Sequence, residues 1–130
     1  MADHVVDTHA LYWYLTQSSK LSPAAMQVFQ DSAQGQGVLF IPSIVVAELY
    51  FLNLKAGSPL NFAIEYQQLK NAGQFRFVPF QADDILQFDN LSLIPEIHDR
   101  IIAGVAFFLG IPCLTCDIKI INSGLFKTVW

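Results

Sequence analysis

Charged side chains are scarce in this sequence. Asp, Glu, Lys and Arg make up 14% of its 130 residues, against about 25% in a typical globular domain. The net charge of −4 argues against binding nucleic acid through bulk charge. It does not exclude an enzyme that meets phosphates through a metal ion. Apolar residues reach 53%, so we expect part of the surface to be buried in an interface.

Cysteine is nearly absent. The two cysteines, Cys113 and Cys116, have the C-x-x-C spacing that can indicate a redox pair or half of a zinc site. There is no second cysteine pair, and His4, His9 and His98 lack zinc-finger spacing. Both cysteines fall in a segment predicted to be a buried strand, so we expect them to be core thiols. Because no disulfide framework is present, the cytoplasm is the expected compartment.

No targeting or membrane-spanning segment is apparent. The sequence begins with Asp3 and Asp7 among its first residues and has no basic region before an apolar stretch. The longest uncharged run, residues 101–116, is interrupted by two glycines and a proline and is too short to span a bilayer. We therefore expect one domain over residues 1–130 and no association with a membrane.

Segments typical of strands and helices alternate along the chain. Strands are predicted at 4–7, 38–42, 75–80, 113–116 and 127–130, and helices at 10–15, 23–33, 43–55, 60–71, 82–91 and 101–109, with a helical turn at 118–121. Ser22 and Ser43 are the predicted N-caps of two of these helices. This order predicts an α/β fold in which a parallel sheet carries helices on both faces through right-handed crossovers.

Acidic residues stand where predicted strands end or helices begin. Asp7 and Asp117 directly follow the first and fourth strands, and Asp99 lies where a helix begins. Glu48 is the lone acid in the apolar helix after the second strand. Each has a simpler explanation, since Asp also caps helices and Glu48 could lie on an exposed stripe. Because parallel strands end at one edge of the sheet, where ligands bind, we expect all four acids near one crevice.

Four acids in one crevice would repel one another, which raises pKa values and costs stability. A hard cation such as Mg²⁺ or Mn²⁺ would relieve that repulsion, because it binds carboxylate and water oxygens. Such a metal can lower the pKa of a bound water and stabilise charge on a phosphodiester. The sequence has neither a Gly-rich P-loop nor a nucleophile elbow. Metal-assisted hydrolysis is therefore the chemistry that these residues best support.

Four segments resemble, in order, the four motifs of the PIN-domain family, and they are most similar to those of VapC-type toxins of bacterial toxin–antitoxin systems. The segments are VDTHAL at 6–11, PSIVVAEL at 42–49, IHDRIIA at 97–103 and LTCD at 114–117. The resemblance covers nearly the whole chain. It implies a PIN-like three-layer α/β/α fold with a central, mostly parallel five-stranded sheet. It also implies Mg²⁺- or Mn²⁺-dependent endoribonuclease activity.

The resemblance assigns roles to individual residues. The family's acidic residues, which would bind metal and carry catalysis, are matched by Asp7, Glu48, Asp99 and Asp117. Hydroxyl positions beside the metal site are matched by Thr8, Ser43 and Thr115, and a basic position after the third acid is matched by Arg100. Few other basic residues lie near these motifs, so Arg100 and Lys119 are the expected phosphate contacts.

Three partners are expected. The resemblance implies an RNA substrate and a cognate antitoxin, whose C-terminal segment would lie along the active-site groove and could insert a basic side chain among the acids. The apolar composition suggests a two-fold homodimer. The candidate interface residues are Tyr12, Trp13 and Tyr14 on the first helix and Tyr50, Phe51 and Leu54 on the helix that carries Glu48. The alternative is that these side chains belong to the core.

Two other functions remain open at this point. A PIN-like domain could act as a non-catalytic module that binds RNA or protein, although intact acids at all four positions speak against it. Another Mg²⁺-dependent α/β phosphohydrolase or a receiver-like domain could also use such acids. A dehalogenase-type phosphatase would need an acid two residues after Asp7, where His9 stands, and a receiver would need a differently placed lysine than Lys119.

Overall fold

A computed structural model describes residues 2–130 of the chain. The strands are β1 (His4–Val6), β2 (Leu39–Pro42), β3 (Phe75–Val78), β4 (Cys113–Leu114) and β5 (Thr128–Val129). The helices are α1 (Thr8–Leu15), α2 (Pro23–Ala33), α3 (Ser43–Lys55), α4 (Phe62–Asn71), a 3-10 helix (Ala82–Leu91), α5 (Ile97–Leu109) and α6 (Ile118–Ser123). Every predicted strand and helix is present, with ends that differ by a few residues.

The five strands form one sheet in the order β3-β2-β1-β4-β5, and every neighbouring pair is parallel. The predicted mostly parallel five-stranded sheet is thus confirmed. The chain first adds strands on one side of β1 and then, after β3, on the other side. Since crossovers are right-handed, this reversal places the helices before β3 on one face and those after it on the other, which gives the three-layer arrangement.

The central strands are buried because both of their faces are covered. Val5, Val6, Leu39, Ile41 and Leu114 have no exposed surface, as expected of a parallel sheet between helical layers.

Helix ends follow local sequence signals. Ser22 caps α2 by accepting a hydrogen bond from the amide of Ala25 at 3.1 Å, and Gly110 ends α5 in the left-handed conformation at φ 65°.

Three local expectations were wrong. Ser43 does not cap α3, because its hydroxyl accepts a hydrogen bond from the amide of Phe80 at 3.1 Å and Pro42 takes the capping position. Tyr12 is buried in the core rather than exposed. Cys116 is exposed, because β4 ends at Leu114 and the chain leaves the sheet before it. Cys113 is buried as expected, and burial raises the pKa of its thiol.

The predicted apolar surface is present on α3, where Tyr50, Phe51 and Leu54 are exposed by 46, 61 and 53%. On α1 the prediction holds only in part, since Trp13 and Tyr14 are half-buried against the core.

Among residues 2–130, no helix has the length and apolar character needed to cross a lipid bilayer.

Candidate active site

The order of the strands creates a crevice at the carboxyl edge of the sheet. The connection that leaves β1 runs toward β2 on one side, and the connection that leaves β4 runs toward β5 on the other side. A gap therefore opens between these two connections. Such a switch point is where open α/β sheets bind ligands. Asp7 follows β1 directly, and Asp117 lies three residues beyond the end of β4. Their positions on neighbouring parallel strands bring both carboxylates to this crevice.

A cavity of about 460 Å³ opens at this edge. Its lining includes all four acids that the sequence singled out, contributed by four separate segments of the chain. The lining residues are Asp7, Thr8, His9, Ile44, Ala47, Glu48, Phe51, Leu52, Lys55, His98, Asp99 and Asp117. We call this cavity the acidic pocket.

Asp7 is the most buried of the four acids, with 8% of its surface exposed. One of its carboxylate oxygens accepts a hydrogen bond from the Thr8 amide at 2.7 Å, and the other accepts one from the hydroxyl of Thr115 at 2.6 Å. Burial raises the pKa of Asp7, while these two hydrogen bonds act to lower it and the charge of Asp117 raises it further. Asp7 therefore both caps α1 and faces the pocket, so the two explanations of this residue hold together.

Thr115 connects two of the acids. Its buried hydroxyl donates to Asp7 and accepts a hydrogen bond from the Asp117 amide at 3.0 Å. The Asp117 carboxylate in turn accepts one from the Lys119 amide at 2.8 Å and caps α6. These contacts fix the orientation of Asp7 and hold the backbone at Asp117 close to it.

Glu48 is held from two sides. The hydroxyl of Thr8 donates to one of its carboxylate oxygens at 2.7 Å. Nδ1 of His98 lies 3.7 Å from the other oxygen of Glu48 and 3.3 Å from a carboxylate oxygen of Glu96. α3 and α5 thereby meet across the pocket, and Glu48 does not lie on a fully exposed stripe.

Asp99 carries the clearest sign of crowded negative charge. Its pKa is raised to about 6, first by burial and then by the charges of Asp117, Glu96, Asp7 and Glu48. The Asp99 amide donates to a carboxylate oxygen of Glu96 at 2.9 Å, so Glu96 is the residue that caps α5. Like charges that raise a pKa in this way favour either a proton or a cation in the pocket.

The donors in the pocket suit a hard divalent cation, because carboxylate oxygens are the ligands that Mg²⁺ and Mn²⁺ prefer. The carboxylates repel one another, and this repulsion contributes to the raised pKa of Asp99. Within residues 2–130, however, no three Asp, Glu, His or Cys side chains are grouped closely enough to ligate one ion as they stand. Both oxygens of Asp7 and one of Glu48 are engaged by threonine or backbone donors instead.

Three predicted supporting residues do not line the acidic pocket, although one of them, Thr115, bonds to Asp7. Ser43 is exposed and bonds to the segment after β3. Arg100 donates from Nε to the carbonyl of Ile94 and lines a second, apolar cavity between the 3-10 helix and α5. The expected phosphate contact from Arg100 therefore finds no support. Asp99 and Arg100 are neighbours on a helix, where consecutive side chains point in different directions, so a helix that turns Asp99 toward the other acids turns Arg100 away from them.

Other pocket residues were given no role in the sequence analysis. His9, His98 and Lys55 all line the pocket, and each has a nitrogen that can donate a hydrogen bond. The sequence did point to the two histidines, since each stands beside or near an acid in a motif-like segment. Lys55 had no such signal, because only the direction of α3 brings it to the pocket.

A five-stranded parallel sheet with acidic residues grouped at its switch point defines an α/β protein with an anionic site at the sheet edge. Comparison with known families agrees: the PIN domain family model matches residues 4–123. The chain belongs to the PIN domain family, as its four motifs predicted. No curated protein matches the sequence significantly.

Two solved structures show the same fold. One is VapBC2 from Rickettsia felis bound to a DNA fragment from their promoter, with 17% identity, a TM-score of 0.65, and 96% coverage of both chains. The other is PAE2754 from Pyrobaculum aerophilum, with 17% identity, a TM-score of 0.62, and 98% of this chain and 90% of that chain covered. At this identity the likeness concerns the fold.

Proposed function

We propose that this protein is a VapC-type toxin of a type II toxin–antitoxin system, a Mg²⁺- or Mn²⁺-dependent endoribonuclease that hydrolyses RNA phosphodiesters. The observation that carries the proposal is the acidic pocket: Asp7, Glu48, Asp99 and Asp117 come from four segments of the chain and line one cavity. Membership of the PIN domain family and the fold shared with VapBC2 support the same function.

The four carboxylates would hold the metal ion, and Thr8 and Thr115 would orient them. When bound, a divalent ion supplies Lewis-acid chemistry, acidifying water and offsetting charge on the phosphodiester. Thr8 and Thr115 donate to Glu48 and Asp7 respectively, so the carboxylates of both acids are kept from turning away from the pocket. The pKa of Asp99 is raised to about 6, so this carboxyl takes up a proton as the pH falls through that value.

Lysine and histidine at the rim would meet the substrate. Lys55 and His98 line the pocket, and the side chain of His98 is 49% exposed. They replace Arg100, to which the sequence analysis had given this role together with Lys119. Few cations are required, because the metal ion would offset most of the phosphate charge.

The proposed partners are an antitoxin and a second copy of the chain. An antitoxin segment with an arginine could occupy the acidic pocket, since a guanidinium pairs with two carboxylate oxygens at once. The exposed apolar row on α3, Tyr50, Phe51 and Leu54, is the surface we propose for contact with a partner. Its aromatic content is typical of interface centres.

The test is cleavage of a 5′-labelled single-stranded RNA by the purified full-length chain. We expect new RNA ends with Mg²⁺ or Mn²⁺, more of them as the pH rises through neutrality, and none with EDTA. Asp7→Asn should lose most of the cleavage and fold at least as stably as the native chain, because a buried charge is removed. Asp89→Asn, on the exposed surface of the 3-10 helix, is the matched control and should cleave normally.

The alternatives give different results in the same assay. A binding module would retain the RNA and leave it uncut under every metal condition. A phosphohydrolase of another class would release phosphate from a phosphomonoester and leave the RNA chain intact. Cleavage that persists in EDTA would contradict metal dependence.

A further inference from the structure

A row of aromatic rings leads away from the acidic pocket. His9 lines the pocket and is exposed, and its ring lies 5.4 Å from that of Trp13, one turn further along α1. The ring of Trp13 lies 5.7 Å from that of Trp130. Trp130 directly follows β5, a parallel strand, so it stands at the same edge of the sheet as Asp7. We call these three residues the aromatic row.

The rings of the row do not cover one another's faces. His9 and Trp13 are tilted by 55°, and Trp13 and Trp130 by 58°. The adjacent Tyr14 differs, since its ring stacks on Phe29 at 4.0 Å and an angle of 2°. One face of Tyr14 is therefore occupied within the fold, whereas Trp13 has no parallel ring against it among the contacts of the described residues.

A lysine lies over the ring of Trp13. Nζ of Lys20 lies 5.8 Å from the centre of the Trp13 ring, and Lys20 is exposed. Both tryptophans are half-buried against the core, so they are held in place and lose little side-chain freedom when a ligand binds. The arrangement joins a fixed aromatic surface to an exposed cation.

We propose that the aromatic row and Lys20 bind single-stranded RNA beside the cleavage site, with bases against the rings of Trp13 and Trp130 and a phosphate at Lys20. The proposal rests on the proposed ribonuclease function and specifies the form of its substrate. Stacking of bases on aromatic side chains is the usual way in which proteins hold single strands, and it tolerates any sequence. It also suits a chain whose net charge of −4 leaves little electrostatic attraction for RNA.

Single strands are favoured over other ligands. The bases of a duplex are already stacked and cannot lie against a side chain without unpairing. A protein partner would be held better by the row on α3, where Phe51 and Leu54 are more than half exposed. The aromatic row instead combines half-buried rings with a lysine and continues directly into the acidic pocket through His9.

Tryptophan fluorescence, excited selectively over that of tyrosine, reports on this site alone, because the chain has two tryptophans and both belong to the row. The experiment titrates the Asp7→Asn chain with a 12-nucleotide single-stranded RNA of mixed sequence, in Mg²⁺, and with a duplex of the same sequence. We expect the single strand to quench the emission and the duplex to bind much more weakly.

Variants in the same background identify the residues. Trp130→Leu should weaken single-strand binding by about fivefold to a hundredfold, the range for loss of one stacked base, and Trp130→Phe should restore most of it. Lys20→Ala, at an exposed position, should also weaken binding. Phe108→Leu removes an exposed aromatic at the far end of α5 and should bind as the parent does. Far-UV circular dichroism checks that each variant is folded.

The outcomes separate the two proposals. An unchanged emission with RNA, or equal affinity for Trp130→Leu and Phe108→Leu, would overturn the stacking site even if the native chain cleaves RNA. Quenching that depends on Trp130 in a native chain that never cleaves RNA would support the stacking site and refute the nuclease. If both proposals hold, Trp130→Leu in the native background raises KM and leaves kcat nearly unchanged.

Discussion

Thr115→Val tests whether the buried hydroxyl of Thr115 supports the charge of Asp7. Valine has nearly the same shape as threonine, so the change removes the hydroxyl and leaves the packing of a fully buried site. Two hydrogen bonds disappear: the one donated to Asp7 at 2.6 Å and the one accepted from the Asp117 amide at 3.0 Å. Asp7 then keeps only the bond from the Thr8 amide.

The expected cost depends on pH. A hydrogen bond to a charged group contributes about 1.5–3 kcal/mol and one between neutral groups about 0.5–1.5 kcal/mol. Removing Thr115 takes away a contact that lowers the pKa of Asp7, so this pKa, already raised by burial, rises further. A group with a raised pKa in the folded state gives stability that is present at low pH and is lost as the pH rises through that pKa. The variant should therefore be destabilised by about 2–4.5 kcal/mol at pH 8, where one of the two lost bonds is to a charged group, and by about 1–3 kcal/mol at pH 4, where both are between neutral groups.

The assay is urea unfolding followed by circular dichroism, at pH 4 and pH 8, with EDTA present so that bound metal does not alter the result. Thr16→Val is the matched control, because the hydroxyl of Thr16 donates to a neutral acceptor, the carbonyl of Tyr12, at 2.8 Å. Its cost should be about 1 kcal/mol at both pH values. An equal cost for Thr115→Val at the two pH values would refute the idea that its hydroxyl supports a charged Asp7.

Two further predictions concern the pocket charge and the α3 surface. In EDTA, Asp99→Asn should raise the melting temperature at pH 8 and change it little at pH 4, because the native carboxyl, with a pKa of about 6, gives stability that is lost as the pH rises through that value. An equal shift at both pH values, measured by thermal unfolding, would contradict the crowding of the acids. Light scattering should give the native chain a mass of twice 14.5 kDa, reduced to that of a monomer by Leu54→Lys on the exposed row of α3. The same change at Ile85, exposed on the 3-10 helix, should leave the dimer intact, and the opposite pattern would place the interface there.

Local signals in the sequence were enough for the secondary structure and for the choice of acids. Asp7 and Asp117 each follow an apolar strand, and that position predicts the carboxyl edge of a parallel sheet whatever the strand order. Pro23 after Ser22, and Gly110 after an apolar run, mark helix ends through backbone chemistry that acts over a few residues. These features depend on neighbours in sequence, so a sequence can show them.

Side-chain partners far apart along the chain could not be predicted. The bond from Thr115 to Asp7 joins residues 108 positions apart, and the bond from Thr8 to Glu48 joins residues 40 apart. The first requires β1 to lie beside β4 and the second requires it to lie beside β2, and this order follows from how the helical layers pack. The motif pattern predicted that Thr8 and Thr115 lie beside the acids, but it did not show which acid each threonine would contact.

The direction of side chains around a helix separates Arg100 from Asp99. Arg100 and Asp99 are consecutive, yet one lines the apolar cavity and the other the acidic pocket. Tyr12 was misplaced because each residue advances a helix by about 100°, and the sequence did not fix which side of α1 faces the core. Ser43 was misplaced because the amide of Phe80, which is distant in sequence, bonds to its hydroxyl. The sequence by itself determined which groups could act, because residue type and local spacing fix chemistry and element ends. Only the tertiary structure decided which groups meet, because packing between distant segments sets the direction of each side chain.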